Sequence, residues 1–442
     1  MTADDRVCAA RRALQGAVPD ALVTVLDRVL SEHFRAVGSR LLLIDYSMSL
    51  LCPVRIAVPP RGGAADGPDA PGLPGTGDPA PDPAGQQGQH GQHGQHGQDG
   101  QDGQDGQGGP EDGGAPPEPV NGTPAGRVFA AQRPEATGHT LLLPVTVRGD
   151  RQGVLEVRLP QPPGPTELAE LAEVAGALGH ALVVADRETD LYLRARRPRR
   201  LTLAAEMQWQ LLPGRSCERP EYSLGAHLEP AYAVHGDHYD WTAEADQLTV
   251  SVTNGMDRGT RAAALTGLAV GALRNARRLG ERIPIAHQAS LADQAIYGMY
   301  GGKSHVSTLL LHFDLETGRV SAVDAGSPKV LRLRDGRVDV LELDAQLPLG
   351  MFEETHYVSQ ELPVRPGDRL VVVSDGVHGA RSPRGELFGD RMLLNAISGS
   401  RMAPPAEAAR LIIRQVGEHE ASDSGRGPAD DAVVVVVDWR GR

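Results

Sequence analysis

The sequence predicts an α+β protein: a β-sandwich flanked by helices in the C-terminal half, preceded by a smaller α+β domain that a long insertion interrupts. Three observations lead there. Strand-like apolar blocks fill most of the second half with pairs of helical blocks between them, the order expected of two stacked sheets with helices outside. Residues before about 190 show the same mixture on a smaller scale. Between two N-terminal pieces, residues 59–124 are almost free of large apolar side chains and crowded with Gly, Pro, Asp and Gln. At 442 residues the chain is too long for one ordinary core, so two domains plus linkers are expected.

In chain order, the N-terminal domain is expected to comprise 1–58 and 125–190. Its first piece reads as a helix at 20–34 and strands at 40–46 and 50–57. The insertion, 59–124, cannot bury enough surface to offset its conformational entropy and is expected to be disordered. His90, His93 and His96 recur there in a Gly-Gln-His repeat, which reads as a solvated low-complexity run rather than a metal site. The second piece reads as strands at 126–130, 140–147 and 153–159. A long helix then follows from a Thr166 cap, with Leu168, Leu171, Val174, Ala175, Leu178, Ala181 and Leu182 at helical spacing, running past Glu188 through Leu191. Residues 191–220 read as a helical linker with an amphipathic helix at 201–212, suited to pairing in a homodimer.

The last domain, 221–440, reads as strands at 223–229, 247–252, 306–314, 320–324, 329–334, 369–374 and 432–439. Helices are expected at 261–279, 285–300, 391–397 and 406–418.

Composition narrows the function. A net charge of −13 and a pI near 5.6 argue against nucleic acid or an anionic membrane as the main partner. The three cysteines, Cys8, Cys52 and Cys217, make no metal-ligand spacing and fit a reducing, cytoplasmic setting. The N-terminus lacks the uninterrupted apolar stretch of a secretory signal, and no apolar run reaches the ~18–20 residues of a membrane span.

Chemistry concentrates in four distant segments, each offering a carboxylate or amide beside a glycine or a second acid. They are His235-Gly236-Asp237-His238-Tyr239-Asp240, Thr253-Asn254-Gly255-Met256-Asp257-Arg258-Gly259, Val372-Val373-Ser374-Asp375-Gly376-Val377 and Ala429-Asp430-Asp431-Ala432. Oxygen ligands delivered singly from strand ends are what hard divalent cations require. Asp237 is read at the end of a strand, and Asp375 as closing the 370–373 strand at a Gly turn. Each could equally form a turn on its own. Asp240 reads as structural, and Asp431 as a surface or supporting neighbour of Asp430.

The order of landmarks is more specific than any one of them. Leu211-Leu212-Pro213, Pro230-Ala231, Gly236-Asp237-His238-Tyr239-Asp240, Asn254-Gly255 and then Ala263-Ala264-Leu265 come first. Asp324-Ala325-Gly326-Ser327-Pro328, Pro348-Leu349-Gly350, Pro366-Gly367-Asp368, Ser374-Asp375-Gly376, Phe388-Gly389 and Asp430-Asp431 follow. This order resembles the PPM-type (type 2C) metal-dependent serine/threonine phosphatases, in the bacterial stage II sporulation protein E-type branch that regulates sporulation and stress sigma factors. Such a resemblance implies two Mn²⁺ or Mg²⁺ ions sharing a water that attacks the phosphorus of phosphoserine or phosphothreonine, on a regulatory protein such as an anti-anti-sigma factor. It assigns Asp237 and the Gly255 carbonyl to one cation, Asp375 and Asp430 to the other, and no catalytic side chain beyond these.

Three positions depart from the family. Asn254 stands where an aspartate bridges both cations, and an amide oxygen brings no charge. Asp257 stands where the family has glycine, and Ser327 where it has histidine. Arg258, Arg261 and Arg274 are candidates for phosphate contact by charge alone. An active phosphatase and a pseudophosphatase acting as a binding or scaffold module are therefore both kept. The N-terminal pair of strands around Leu143-Pro144-Val145 and Gly153-Val154-Leu155 resembles a GAF-type sensor domain, which implies a small-molecule ligand.

Overall fold

The computed structural model describes residues 3–55, 115–198, 200–230, 234–280, 282–326, 328–389, 391–421 and 430–441. Most of the insertion, its three repeat histidines and Ser327 lie outside these residues.

The N-terminal domain begins with two helices, α1 (Ala3–Gln15) and α2 (Leu22–Phe34). Strands β1 (Gly38–Ile44) and β2 (Leu50–Pro53) follow, then β3 (Glu118–Pro119), helix α3 (Pro124–Ala131), and strands β4 (Glu135–Thr137), β5 (Thr140–Val147) and β6 (Asp150–Arg158). The strands form one antiparallel six-stranded sheet in the order β3-β2-β1-β6-β5-β4. Period-2 alternation sends Leu41, Leu43, Leu141, Leu143, Leu155 and Val157 to one face, where they pack with α1, α2 and helix α4 (Pro165–Ala185). Leu42, Ile44, Leu142 and Val154 point to the other face and cover Val128 and Phe129 of α3.

Several sequence expectations are corrected here. Residues 126–130 are helical, not a strand: Thr123 caps α3 by accepting from the Gly126 N–H, and Pro124 sits at the first turn where its missing N–H costs nothing. Residues 118–119, inside the expected insertion, form the strand β3, which pairs with β2. Gly164 rather than Thr166 caps α4, with Pro165 first in the helix. That helix stops at Ala185, and a separate turn, α5 (Leu191–Ala195), follows. Contrary to the expectation of no membrane-length run, α4 is long and apolar enough by composition, with mean hydropathy 1.5; 44% of that window is buried in the domain core.

The linker carries α6 (Leu203–Leu211), capped by Thr202. The C-terminal domain then runs β7 (Ser216–Arg219), β8 (Tyr222–Glu229), β9 (His238–Ala243), β10 (Gln247–Gly255), α7 (Thr260–Arg277) and α8 (Ile285–Tyr300). It continues through β11 (Val306–Asp314), β12 (Val320–Ala325), β13 (Lys329–Arg334), β14 (Arg337–Leu341), β15 (Gln360–Leu362) and β16 (Arg369–Val373). Helices α9 (Asp375–His378), α10 (Arg391–Gly399) and α11 (Pro405–Glu420) precede the closing strand β17 (Ala432–Trp439).

These strands make two antiparallel sheets, β15-β12-β11-β10-β9 and β14-β13-β16-β17-β8-β7. Their inner faces meet through Leu224, Val250, Val252, Leu309, Phe313, Val372, Val435 and Trp439. Alternate residues of β16 and β17 (Val371, Val373, Val434, Val436) face outward onto α10 and α11, and β11 and β12 offer Leu310 and Val323 to α7 and α8. The result is the expected sandwich with helices on both sides.

Candidate metal centre

The four acid-bearing segments converge where strand ends of the two sheets meet. Asp237 immediately precedes β9, and its side chain is 0% exposed. Neither of its carboxylate oxygens has a hydrogen bond of ordinary geometry among the described residues, with the Ser374 hydroxyl close enough only to ease its ionisation. Antiparallel pairing sets Thr253 of β10 opposite His238, which places Asn254 and Gly255 beside the Asp237 turn. The two segments are stapled: the Gly255 N–H donates to the Gly236 carbonyl at 3.2 Å, and the Thr266 hydroxyl of α7 donates to the same oxygen at 2.7 Å.

Asp375 opens α9 rather than a turn, and is exposed. Its carboxylate accepts from the Gly376 N–H at 2.9 Å. A Cβ at Gly376 would lie 1.8 Å from the Asp431 carbonyl oxygen, so only glycine lets α9 sit this close to the start of β17. The Asp430 carboxylate lies 2.6 Å from His235 Nδ1, an ion pair when that imidazole is protonated.

Asp431 is not a surface residue. Fully buried, it accepts through one oxygen from the backbone N–H groups of His235 (2.8 Å), Gly236 (2.8 Å) and Asp237 (3.3 Å). A carboxylate gathering three successive amides fixes the turn that presents Asp237. Asp240 is likewise buried and structural: burial opposes its ionisation, yet Arg274 and Arg277 at 2.8 Å hold its carboxyl below the usual range. Arg274 is therefore committed to Asp240 and to the Leu211 carbonyl, and is removed from the phosphate candidates. Arg258 and Arg261 are exposed.

The charges at the strand ends act on one another. Burial pushes the Asp237 carboxyl well above the usual carboxylate range, and Asp375, then Asp431 and Asp430, push it further against the opposing effect of the Ser374 hydroxyl. Asp430 is raised chiefly by burial and by Asp375, against the opposing pull of His235. A buried carboxylate with two unpartnered oxygens among other acids is a site for positive charge. The departures are equally plain. Asn254 is neutral, and Asp257, exposed, sits at φ +78°, a backbone conformation that glycine adopts more readily than aspartate. Among the described residues no group of three or more His, Cys, Asp or Glu side chains is disposed to hold a metal as it stands.

Residues 244–440 match the family model described as stage II sporulation protein E (SpoIIE), a span that takes in Asn254, Gly255, Asp375 and Asp430 but begins after Asp237. Protein IcfG of Synechocystis sp. is 24% identical over 223 residues, 44% of this chain; the chain spans only 35% of that relative's length. Among solved structures, the PP2C phosphatase domain of SpoIIE from Bacillus subtilis, with a fragment of its regulatory domain, is 23% identical, with a TM-score of 0.42 over 50% of this chain and 62% of that one. The SiaA PP2C domain of Pseudomonas aeruginosa is 22% identical, with a TM-score of 0.42 over 50% of this chain and 86% of that one. Residues 244–440 of this chain are thus similar to the stage II sporulation protein E family, across most of the C-terminal domain.

Proposed function

We propose that this protein hydrolyses phosphoserine or phosphothreonine on a regulatory protein, such as an anti-anti-sigma factor, in a reaction that depends on Mn²⁺ or Mg²⁺. The buried, unpartnered carboxylate of Asp237 among Asp375 and Asp430 carries this reading. Those three acids would hold the cation, with the Gly255 carbonyl and the Asn254 amide oxygen as neutral donors. Bound cations of this kind screen the charge of a phosphate ester and acidify water enough for attack near neutral pH. The chain's own residues prepare the place: Asp431 fixes the Asp237 turn, Thr266 and Gly236 join that turn to Asn254–Gly255, and His235 lies against Asp430.

Asn254 favours a second reading, a pseudophosphatase that binds its partner without turnover, because one carboxylate fewer weakens any second cation. Turnover of a phosphoserine peptide under Mn²⁺ titration separates the two. Activity in the native chain that Asp237→Asn and Asp375→Asn abolish supports the enzyme. Activity appearing only in Asn254→Asp makes the native chain a binding module.

For residues 1–58 and 125–190 we propose a GAF-like sensor role. A cavity of about 580 Å³ among α1, α2 and α4, lined by Leu14, Leu22, Ala177 and Ala181, has the size and apolar character of a small-molecule site.

A further inference from the structure

Gln208, on the linker helix α6, reaches into the candidate centre. Its side chain is 1% exposed, and its amide nitrogen donates to the Asp237 carbonyl at 2.5 Å and to the Asp431 carboxylate at 3.0 Å. The oxygen it meets on Asp431 is the one that gathers the amides of residues 235–237. A single amide thus ties both ends of the turn that presents Asp237. The Gln208 amide oxygen is buried without a partner. An apolar side chain would avoid that desolvation, so the donor side is what the fold retains here.

The same helix faces the N-terminal domain. Trp209, the next residue, lies with its ring 4.4 Å from that of Tyr46, centroid to centroid, in the β1–β2 connection. Arg215 lies over Trp209 and donates to the Tyr46 carbonyl. On the opposite flank, Arg274 of α7 donates to the Leu211 carbonyl at the end of α6 at 2.6 Å. Helix α6 is therefore held between a turn of the N-terminal domain and the acid cluster, with neighbouring residues touching each.

We propose that Gln208 is a positioning residue for the cation held by Asp237, and that α6 carries displacement of the Tyr46 turn to that site. The inference rests on the cation reading above. Gln208 itself contacts backbone and the supporting carboxylate, and acts by fixing where Asp237 points. Outer contacts of this kind are commonly worth ten- to a hundredfold in metal affinity.

The test is Mn²⁺ affinity of the full chain by calorimetry, for native protein, Gln208→Met, Tyr46→Ala and the double variant. Methionine keeps the length and packing while removing both donors. Gln208→Met is expected to weaken Mn²⁺ binding about tenfold, and Tyr46→Ala severalfold, with the double variant no weaker than Gln208→Met alone because both act through one helix. If the phosphopeptide is turned over, saturating Mn²⁺ restores Gln208→Met towards native kcat with KM unchanged, which general loss of structure would not do. Should Gln208→Met fold poorly, the isosteric Gln208→Glu, which sets a negative charge against Asp431, must weaken binding at least as much. Native affinity in folded Gln208 variants overturns the role of Gln208 and leaves the cation reading intact. Additive losses overturn the coupling through α6. A native chain that binds no Mn²⁺ overturns the cation reading and this inference with it.

Discussion

Asp431 shows how much one buried carboxylate can organise. Three successive amides and the Gln208 side chain converge on one of its oxygens. Truncation to alanine leaves four buried donors without that acceptor, each costing up to a few kcal/mol, partly relieved by relaxation and water. Asp431→Ala is therefore expected to lower unfolding free energy by about 3 kcal/mol in urea titration, and Asp431→Asn, which keeps one acceptor oxygen, by less. Equal losses from both would show that the charge, not the acceptor geometry, holds the turn. The sequence reading gives Asp430 to a cation and leaves Asp431 as a surface or supporting neighbour; its full burial is not legible, because adjacent residues entering a strand point to opposite sides and the sequence does not show which side is enclosed. Asp237, Asp375 and Asp430 drew attention in the sequence because each stands at a strand boundary in an ordered series, the first two beside glycine and the third beside a second acid. Gln208 did not: a polar residue in a short amphipathic helix carries no local sign that its partners lie near residues 237 and 431.

At the scale of elements, long strands and helices announced themselves through period. The strand expected at 306–314 and the helix at 285–300 match β11 and α8. Elements whose identity depends on tertiary context were missed. The two-residue β3 exists only because β2 pairs with it, and α1 is amphipathic but polar overall. The 126–130 segment offered Val128 and Phe129, both strand formers, yet the preceding Thr-Pro cap decided for a helix. Packing between elements also sets sharp limits. Gly225 of β8 lies under the start of α11, where a Cβ would come within 2.0 Å of the Ala406 nitrogen. Both atoms belong to main chain, so the helix must lift. Gly225→Ala is expected to cost about 3 kcal/mol or more, measured by denaturant unfolding. It should also disturb the buried pair of Arg151 with Glu407, since α11 carries Glu407. A loss below about 1 kcal/mol would show that α11 shifts freely on the sheet.

Across the whole molecule, the outer face of β8 holds two titrating groups that no proposed chemistry uses. His227 is 1% exposed, and neither ring nitrogen has a hydrogen-bond partner among the described residues. Burial holds its pKa down to about 3, helped by Arg215 and Arg410 and opposed by Asp45 and Glu407. Glu229, whose carboxylate lies 3.6 Å from His227 and is 27% exposed, is pushed up to about 8, first by burial and then by Asp45, against Arg215. The two act in opposite directions. Between pH 6.5 and 3 the unfolded chain binds a proton at His227 that the folded chain refuses, so stability falls on acidification. Between pH 4.5 and 8 the folded chain keeps a proton on Glu229 that the unfolded chain has lost, so stability falls as pH rises. Each group contributes a slope of up to about 1.4 kcal/mol per pH unit. Together they cancel between pH 4.5 and 6.5, leaving an acid limb that belongs to His227 and an alkaline limb that belongs to Glu229. In urea unfolding across pH 3 to 8, His227→Gln should flatten the acid limb and Glu229→Gln the alkaline one, each relative to native protein. An unchanged pH profile in both variants would mean that water or backbone movement solvates these groups, and that the contact between the Asp45 turn and β8 is looser than its geometry implies.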